Sequence, residues 1–417
     1  MEMTKYKLGD IAKTGSGGTP KSTVAEYYEN GNIPWINSGE LNNPFISTTS
    51  NFITQKGYDN SSAKLFPPQT VLLAMYGATA GKASLLEFEA CTNQAICAIM
   101  PNQDILLPRF LKYKLDTMYN YLVGLSTGSA RDNLSQDGIK ALELCIPPLS
   151  EQKKIASVLS ALDDKIALNK KMNQKLEAMA KRLYDYWFVQ YDFPDKNGHP
   201  YKTTGGPMTY NPTLKREIPV GWEVKTLDEY LDCNKYSLTA KSSYDFIQYL
   251  DTSSLTENTL ESLQRYGSQA ESPSRAKRIV YANDILYSTV RPQQKHYGII
   301  KNPAQNMIAS TGFAILSCKY GSEYNDMFYL FLIQEKNLIK LSAIADSNAS
   351  SYPSFNPSDL LNLSICLPED IKTIEPLVKK FSSLFGIIER NQKENQKLTA
   401  LRDKLLPLLM NGQVVVE

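Results

Sequence analysis

Residues 151–188 read EQKKIASVLSALDDKIALNKKMNQKLEAMAKRLYDYWF, and apolar side chains recur in them at alternating steps of four and three: Ile155, Leu159, Leu162, Ile166, then Leu176, Ala180, Leu183, Trp187. A mean spacing of about 3.5 residues marks a coiled-coil seam, narrower than the stripe by which an ordinary surface helix meets a core. Carried through the middle of the stretch, the same count lands on Asn169 and Asn173. An amide in a helix seam is costly unless another amide faces it. The stretch therefore needs a partner.

A shift of 222 residues finds one in the same chain: Leu377, Phe381, Leu384, Ile388, Asn391, Asn395, Leu398, Arg402 and Leu405, with the string NQKL at 173–176 and again at 395–398. If the two helices pack antiparallel about a pseudo-twofold centre near residue 171, Asn169 faces Asn395 and Asn173 faces Asn391. Such an amide layer fixes register and direction at some cost in stability. The competing reading is two unrelated surface helices whose amides point to solvent.

The rest of the chain repeats with the helix, at offsets that drift from 219 to 214, 218, 221 and 222, as insertions in loops would produce. Lys7–Ile11 matches Thr226–Tyr230, Trp35–Leu41 matches Tyr249–Leu255 more weakly, and Val71–Met75 matches Ile285–Thr289. Thr92–Ile99 matches the neighbourhood of Ser310–Leu316, Phe110–Leu115 matches Phe328–Ile333, and Leu142–Pro147 matches Leu363–Pro368. Short β-branched and aromatic runs broken by Gly, Pro, Asn and Ser argue for a mixed module with a twisted, partly antiparallel sheet. The fold class expected is α+β: two tandem mixed modules joined by two long helices packed as an antiparallel coiled coil. The parts expected are a first module over 1–149, a helix over 150–188, a connection over 189–221, a second module over 222–372, and a helix with tail over 373–417. Pro194, Gly198, Pro200, Gly205, Gly206, Pro207, Pro212 and Pro219 forbid a helix in the connection. Ser150 is an expected N-cap, Thr373 a cap for the second helix with Pro376 in its first turn, and Pro407 an expected stop or kink.

At 417 residues and 42% hydrophobic content the chain has material for two or three ordinary domains. No apolar run is long enough to span a bilayer, and Met1–Gly18 lacks the apolar core of a signal peptide, so no membrane and a cytoplasmic setting are expected. Six cysteines without C-x-x-C spacing and two histidines support neither a zinc site nor a disulfide framework. Cys145 and Cys366 stand at matching repeat positions in apolar strings and read as core residues. A net charge of +2 means that any contact with nucleic acid is local or shared with a basic partner.

Catalytic patterns fail on their own mechanics. Gly77–Lys82 resembles a P-loop but has three residues between its glycines and Ala83 where magnesium needs a hydroxyl. Gly15–Ser22 carries Pro20 where a phosphate-facing N–H belongs. His199 lies in the Pro/Gly connection, and His296 has no nucleophile and acid at a known spacing. No G-x-G-x-x-G is present, and neither Pro67-Pro68 nor Pro147-Pro148 follows an Asn or Asp as an adenine methylase would require. What remains is loop material suited to DNA: Lys82, Thr92-Asn93-Gln94, Arg131 and Asn133, then Arg275, Lys277, Arg278, Arg291, Gln293 and Lys295. Arg and Lys read guanine, Asn and Gln read adenine, and hydroxyls hold phosphates.

Gly17-Gly18-Thr19-Pro20, Ile33-Pro34-Trp35-Ile36, Gly128-Ser129-Ala130-Arg131 with Asn133-Leu134-Ser135, Ile146-Pro147-Pro148-Leu149 before Glu151-Gln152-Lys153-Lys154-Ile155, and Ile218-Pro219-Val220-Gly221-Trp222 together resemble the specificity subunit of type I restriction-modification systems. The likeness covers nearly the whole chain. The second half departs from it, lacking the Glu-Gln pair at its helix start and an Arg at the place of Arg131. The resemblance implies two target-recognition domains, each reading one half of a split asymmetric site in double-stranded DNA. It implies helices that hold them apart and dock two adenine-methyltransferase subunits, with translocating endonuclease subunits joining. No cofactor is then expected on this chain; S-adenosylmethionine, ATP and Mg belong to those partners. A helix of 33 residues from 155 to 187 is about 50 Å long, against about 34 Å for a turn of B-DNA, so it could serve as a ruler. The alternatives are an enzyme in its own right, which the missing motifs oppose, and a stand-alone tandem-module scaffold or regulator that binds DNA or protein without a modification system.

Overall fold

The computed structural model describes residues 2–127, 134–239, 242, 244–348 and 352–416. The chain divides into two compact units: Met1–Ile166 with Gln396–Glu417 (unit 1), and Ala167–Asn395 (unit 2).

Unit 1 is built on a five-stranded sheet in the order Ala12–Ser16, Ile96–Pro101, Val71–Ala74, Ala83–Leu86, Phe45–Ile46. All neighbours are antiparallel except the last pair. Val71–Ala74 is buried along its whole length, which is why it reads VLLA without alternation. A second sheet orders Phe52–Ile53, Ile33–Ile36, Ala90–Thr92 and Leu65–Phe66, its middle pair parallel. Thr4–Lys7 pairs with Glu143–Ile146. There the alternation is strict: Leu144 and Ile146 face the core and Cys145 faces out. The expectation that Cys145 packs inside is thus corrected by the register of a two-stranded ribbon covered on one side, whereas Cys366 at the matching position is buried.

Unit 2 repeats this plan with one strand fewer, having no counterpart of Phe45–Ile46 in its first sheet. Leu231–Cys233, Phe313–Cys318, Asp284–Ser288 and Tyr297–Ile300 form one sheet in that order, and Gln264–Tyr266, Ile247–Leu250, Met307–Ser310 and Ala276–Ile279 form the other. Again the middle pair of the second sheet is parallel, and Trp222–Thr226 pairs with Ser364–Pro368. Residues of the expected connection fold here as well. Met208–Asn211 and Arg216–Pro219 make a hairpin, and the Phe193 ring stacks on Trp222 at 5.0 Å and on Tyr201 at 4.6 Å.

The long helices are Leu149–Tyr184, which ends in a π-turn at Asp185–Val189, and Glu375–Met410, each of 36 residues. In unit 2, Asn169 Nδ2 donates to Asn395 Oδ1 at 3.0 Å and Asn391 Nδ2 donates to Asn173 Oδ1 at 2.8 Å. Leu176, Ala180, Leu183 and Trp187 join Leu377, Phe381, Leu384 and Ile388 in that unit's core. In unit 1, Ile155 and Leu159 pack with Leu405, Leu409 and Met410, and Asp163 pairs with Arg402 at 2.8 Å. Residue numbers rise along one helix as they fall along the other within each unit, so the pairing is antiparallel. Ile166 is buried, and Leu162 and Leu398 are half-buried.

Three helix limits differ from expectation. The first helix starts at Leu149, so Ser150 lies inside it. Gln152 ties that end down instead: wholly buried, it accepts from Leu107 N–H at 2.9 Å and donates to the Ile105 and Pro147 carbonyls. Thr373 sits in a 3-10 turn, Ile371–Ile374, capped by Asp370. Pro407 stays within the helix, which runs on to Met410 because Leu409 and Met410 are held in the unit 1 core.

Candidate nucleic-acid interface

In unit 1, four loops converge beyond one end of the strands. Asn93 N–H donates to the Ile36 carbonyl at 3.0 Å and Met75 N–H to the Ala95 carbonyl at 2.8 Å. Thr79 Oγ1 donates to the Ser38 carbonyl at 2.9 Å. The loop Gly17-Gly18-Thr19-Pro20 closes the set: Trp35 Nε1 donates to the Gly18 carbonyl at 3.0 Å and Thr19 Oγ1 to Gln94 Oε1 at 2.6 Å. Glycine is required at 17, since a Cβ there would lie 1.9 Å from the Thr92 carbonyl oxygen.

The residues expected to touch DNA are placed unequally by this packing. Thr92 is fully buried, so its hydroxyl faces the protein; it ends a buried strand, and its carbonyl is what Gly17 packs against. Asn93 is half-buried and spends its side-chain oxygen on Ala95 N–H at 3.2 Å. Gln94 is exposed. Lys82 is half-buried with Nζ bonded to Asn42 Oδ1. Arg131 and Asn133 lie outside the described residues.

Unit 2 presents the equivalent rim. Thr311 N–H donates to the Arg275 carbonyl at 2.8 Å, Thr289 N–H to the Gly312 carbonyl at 2.9 Å, Phe355 N–H to the Thr289 carbonyl at 3.0 Å and Arg291 N–H to the Pro353 carbonyl at 2.9 Å. Four segments far apart in sequence are thereby laced together. Arg275, Lys277, Arg291 and Gln293 are exposed. Arg278 is half-buried and bonded to Ser237 Oγ at 3.0 Å, and Lys295 pairs with Glu257 at 2.9 Å.

The two rims correspond at the offset of 214. Lys82 beside Asn42 in unit 1 becomes His296, whose Nδ1 lies 3.0 Å from Thr256 Oγ1, in unit 2. The glycines that gave the loop its P-loop look are backbone requirements: Gly77 and Gly81 have φ of 86° and 80°, and the matching Arg291 and Lys295 have φ of 46° and 55°. Sequence reading passed over two exposed aromatic side chains on these rims, Tyr76 and Tyr352, at 40% and 62% exposure. Tyr76 carried one signal, an aromatic residue next to a glycine-rich loop, whereas Tyr352, flanked by Ser and Pro, carried none and meets Arg291 only in the folded unit.

Among the described residues no group of three His, Cys, Asp or Glu could hold a metal ion, and no helix is long and apolar enough to cross a membrane.

The family model for the type I restriction modification DNA specificity domain matches residues 1–178 and 219–400. The chain is 30% identical over 426 residues to the type I restriction enzyme MjaIX specificity subunit of Methanocaldococcus jannaschii, across 99% of this chain and 93% of that one. It is 23% identical over 475 residues to the type I restriction enzyme HindI specificity subunit of Haemophilus influenzae, across 98% and 99% of the two chains. The crystal structure of the type I restriction-modification system S subunit from M. genitalium shares the fold, with a TM-score of 0.59 over 98% of this chain and 96% of that one at 16% identity. With both folded repeats matched, the chain belongs to the type I restriction modification DNA specificity domain family.

Proposed function

We propose that this chain is the non-catalytic, sequence-reading subunit of a type I restriction-modification complex in the cytoplasm, each unit reading one half of a split, asymmetric DNA site. The recognition domains are residues 1–149 and 222–372. The helices over 150–188 and 373–417 set the gap between half-sites and dock two adenine-methyltransferase subunits, which bring S-adenosylmethionine. Translocating endonuclease subunits bring ATP and Mg. Base and phosphate contacts come from Lys82, the loop of Asn93 and Gln94 that Thr92 anchors, Arg131 and Asn133 in the first domain. In the second they come from Arg275, Lys277, Arg278, Arg291, Gln293 and Lys295.

The observation that supports this reading best is one strand order used twice with different side chains on matching rims: Lys82 against His296, Gly77 against Arg291. Repetition of the frame suits two half-sites, and divergence of the rims suits two different sequences. Each long helix, at about 54 Å for 36 residues, exceeds one turn of B-DNA, about 34 Å. The test is co-expression with the cognate adenine methyltransferase, followed by a genome-wide map of methylated adenines. A split motif with a fixed gap is expected. Inserting a few residues in the helices should change the gap and leave both half-sites as they were; altered half-sites at an unchanged gap would overturn the proposal.

A further inference from the structure

We propose that Arg291 is the residue by which unit 2 recognises a guanine in its half-site, with Tyr352 as the ring that seats its guanidinium. The inference rests on reading the chain as a DNA sequence reader and adds which residue reads and which base class it takes.

The argument begins with backbone conformation. Left-handed φ is natural for glycine and unfavourable for residues with a Cβ. Unit 1 meets this demand at the turn after its central strand with Gly77 and Gly81, and unit 2 makes the same turn with Arg291 and Lys295. Backbone strain of this kind persists only where surrounding structure enforces it, and it gathers at functional positions. The enforcement is visible: Arg291 N–H is held by the Pro353 carbonyl, Lys295 Nζ by Glu257, and Ser288 N–H by the His296 carbonyl. Between the two strained residues, Pro292–Gln294 forms one 3-10 turn.

That rigid turn delivers Arg291 outward. A side chain at the matching position of unit 1 would project into open space, since a Cβ built on Gly77 meets nothing within 4 Å. The Arg291 guanidinium lies 4.9 Å from the centroid of the Tyr352 ring, and its N–H groups have no protein acceptor among the described residues. A stacked arginine keeps its fork of donors available while losing part of its rotational freedom. Guanine offers O6 and N7 in the major groove as a matching pair of acceptors, whereas a phosphate contact needs neither the stack nor the strained turn. Lys295, at the other strained position, has its ammonium paired with Glu257, so of the two it is Arg291 that keeps its donors open.

Arg291→Gly tests this cleanly, because glycine suits the backbone and removes only the side chain. In the full chain co-expressed with its methyltransferase, the variant should methylate a motif relaxed at one guanine position of one half-site. Discrimination there should fall about tenfold to a hundredfold, with the gap and the other half-site intact and thermal unfolding unchanged. Arg291→Lys should relax the same position, and Tyr352→Ala should relax it partially. An unchanged Arg291→Gly motif, or a change in the other half-site, would overturn the assignment while leaving the two-half-site reading in place. So would a uniform drop in affinity for specific and non-specific duplex with a shallower salt slope, which marks a phosphate contact. If the wild-type complex methylates no split motif, the reading beneath the assignment fails and the assignment with it.

Discussion

Replacing Asp163 should unfold unit 1 well before it disturbs unit 2. Asp163 is 5% exposed; it accepts from the Tyr113 hydroxyl at 2.6 Å and from Arg402 Nη1 at 2.8 Å. Burial and the neighbouring carboxylate push the Tyr113 phenol well above its usual range, so it remains a donor. With alanine at 163, the Tyr113 hydroxyl is left buried and Arg402 keeps only Asp403, whose side chain is 59% exposed. Breaking a buried pair costs about 3–5 kcal/mol, and partial solvation of Arg402 brings the expected loss to about 2–4 kcal/mol. Unit 2 supplies the control. The repeat offsets of 218 and 222 place Phe331, Phe385 and Ala180 where unit 1 has Tyr113, Asp163 and Arg402, and all three are buried. The triple variant Tyr113→Phe, Asp163→Phe, Arg402→Ala exchanges a polar network for an apolar one of similar total volume and should lie within about 1.5 kcal/mol of the parent. Urea unfolding followed by fluorescence in a Trp187→Phe, Trp222→Phe background isolates Trp35, which reports on unit 1. A loss below about 1 kcal/mol for Asp163→Ala, or a triple variant no more stable than the single one, would refute the reasoning.

In the amide layer, Asn173→Ala should cost about 1–2 kcal/mol because Asn391 loses its acceptor, while the double change to leucine at 173 and 391 should be neutral or stabilising by chemical denaturation. Gly17→Ala forces a Cβ onto the Thr92 carbonyl; unit 1 should lose more than about 2 kcal/mol, and methylation mapping should show the half-site read by that unit degraded. Burial pushes the Cys97 thiol up to about 12 and Cys91 up to about 11. Between the ordinary thiol value and these values the unfolded chain has lost protons that the folded chain retains, so stability should fall with rising pH above about 9, by about 1.4 kcal/mol per unit for each thiol. Cys97→Ala should flatten that decline in a pH series of urea titrations, and native alkylation should label exposed Cys145 ahead of buried Cys91 and Cys97.

What sequence alone determined is what depends on local periodicity and on repetition. The seam residues Ile155 to Trp187, their counterparts from Leu377 to Leu405, and the paired asparagines are set by helical period and by matching chemistry 222 residues apart, so helix direction and the duplicated plan could be read without coordinates. Failure of the P-loop and methylase patterns was legible for the same reason, since each is a rule about spacing. Tertiary structure decided the rims. Thr92 is hidden because Gly17, 75 residues away, packs on its carbonyl. Arg278 and Lys295 are engaged by Ser237 and Glu257, and Cys145 turns outward through the register of a two-stranded ribbon. Least legible was the left-handed turn at Arg291, because glycine is the usual written sign of that conformation and unit 2 does not use it. Backbone strain there is imposed by the hydrogen bond that Arg291 N–H donates to the Pro353 carbonyl and by the pairing of Lys295 with Glu257, contacts made only once distant strands have paired, and no pattern along the chain encodes them.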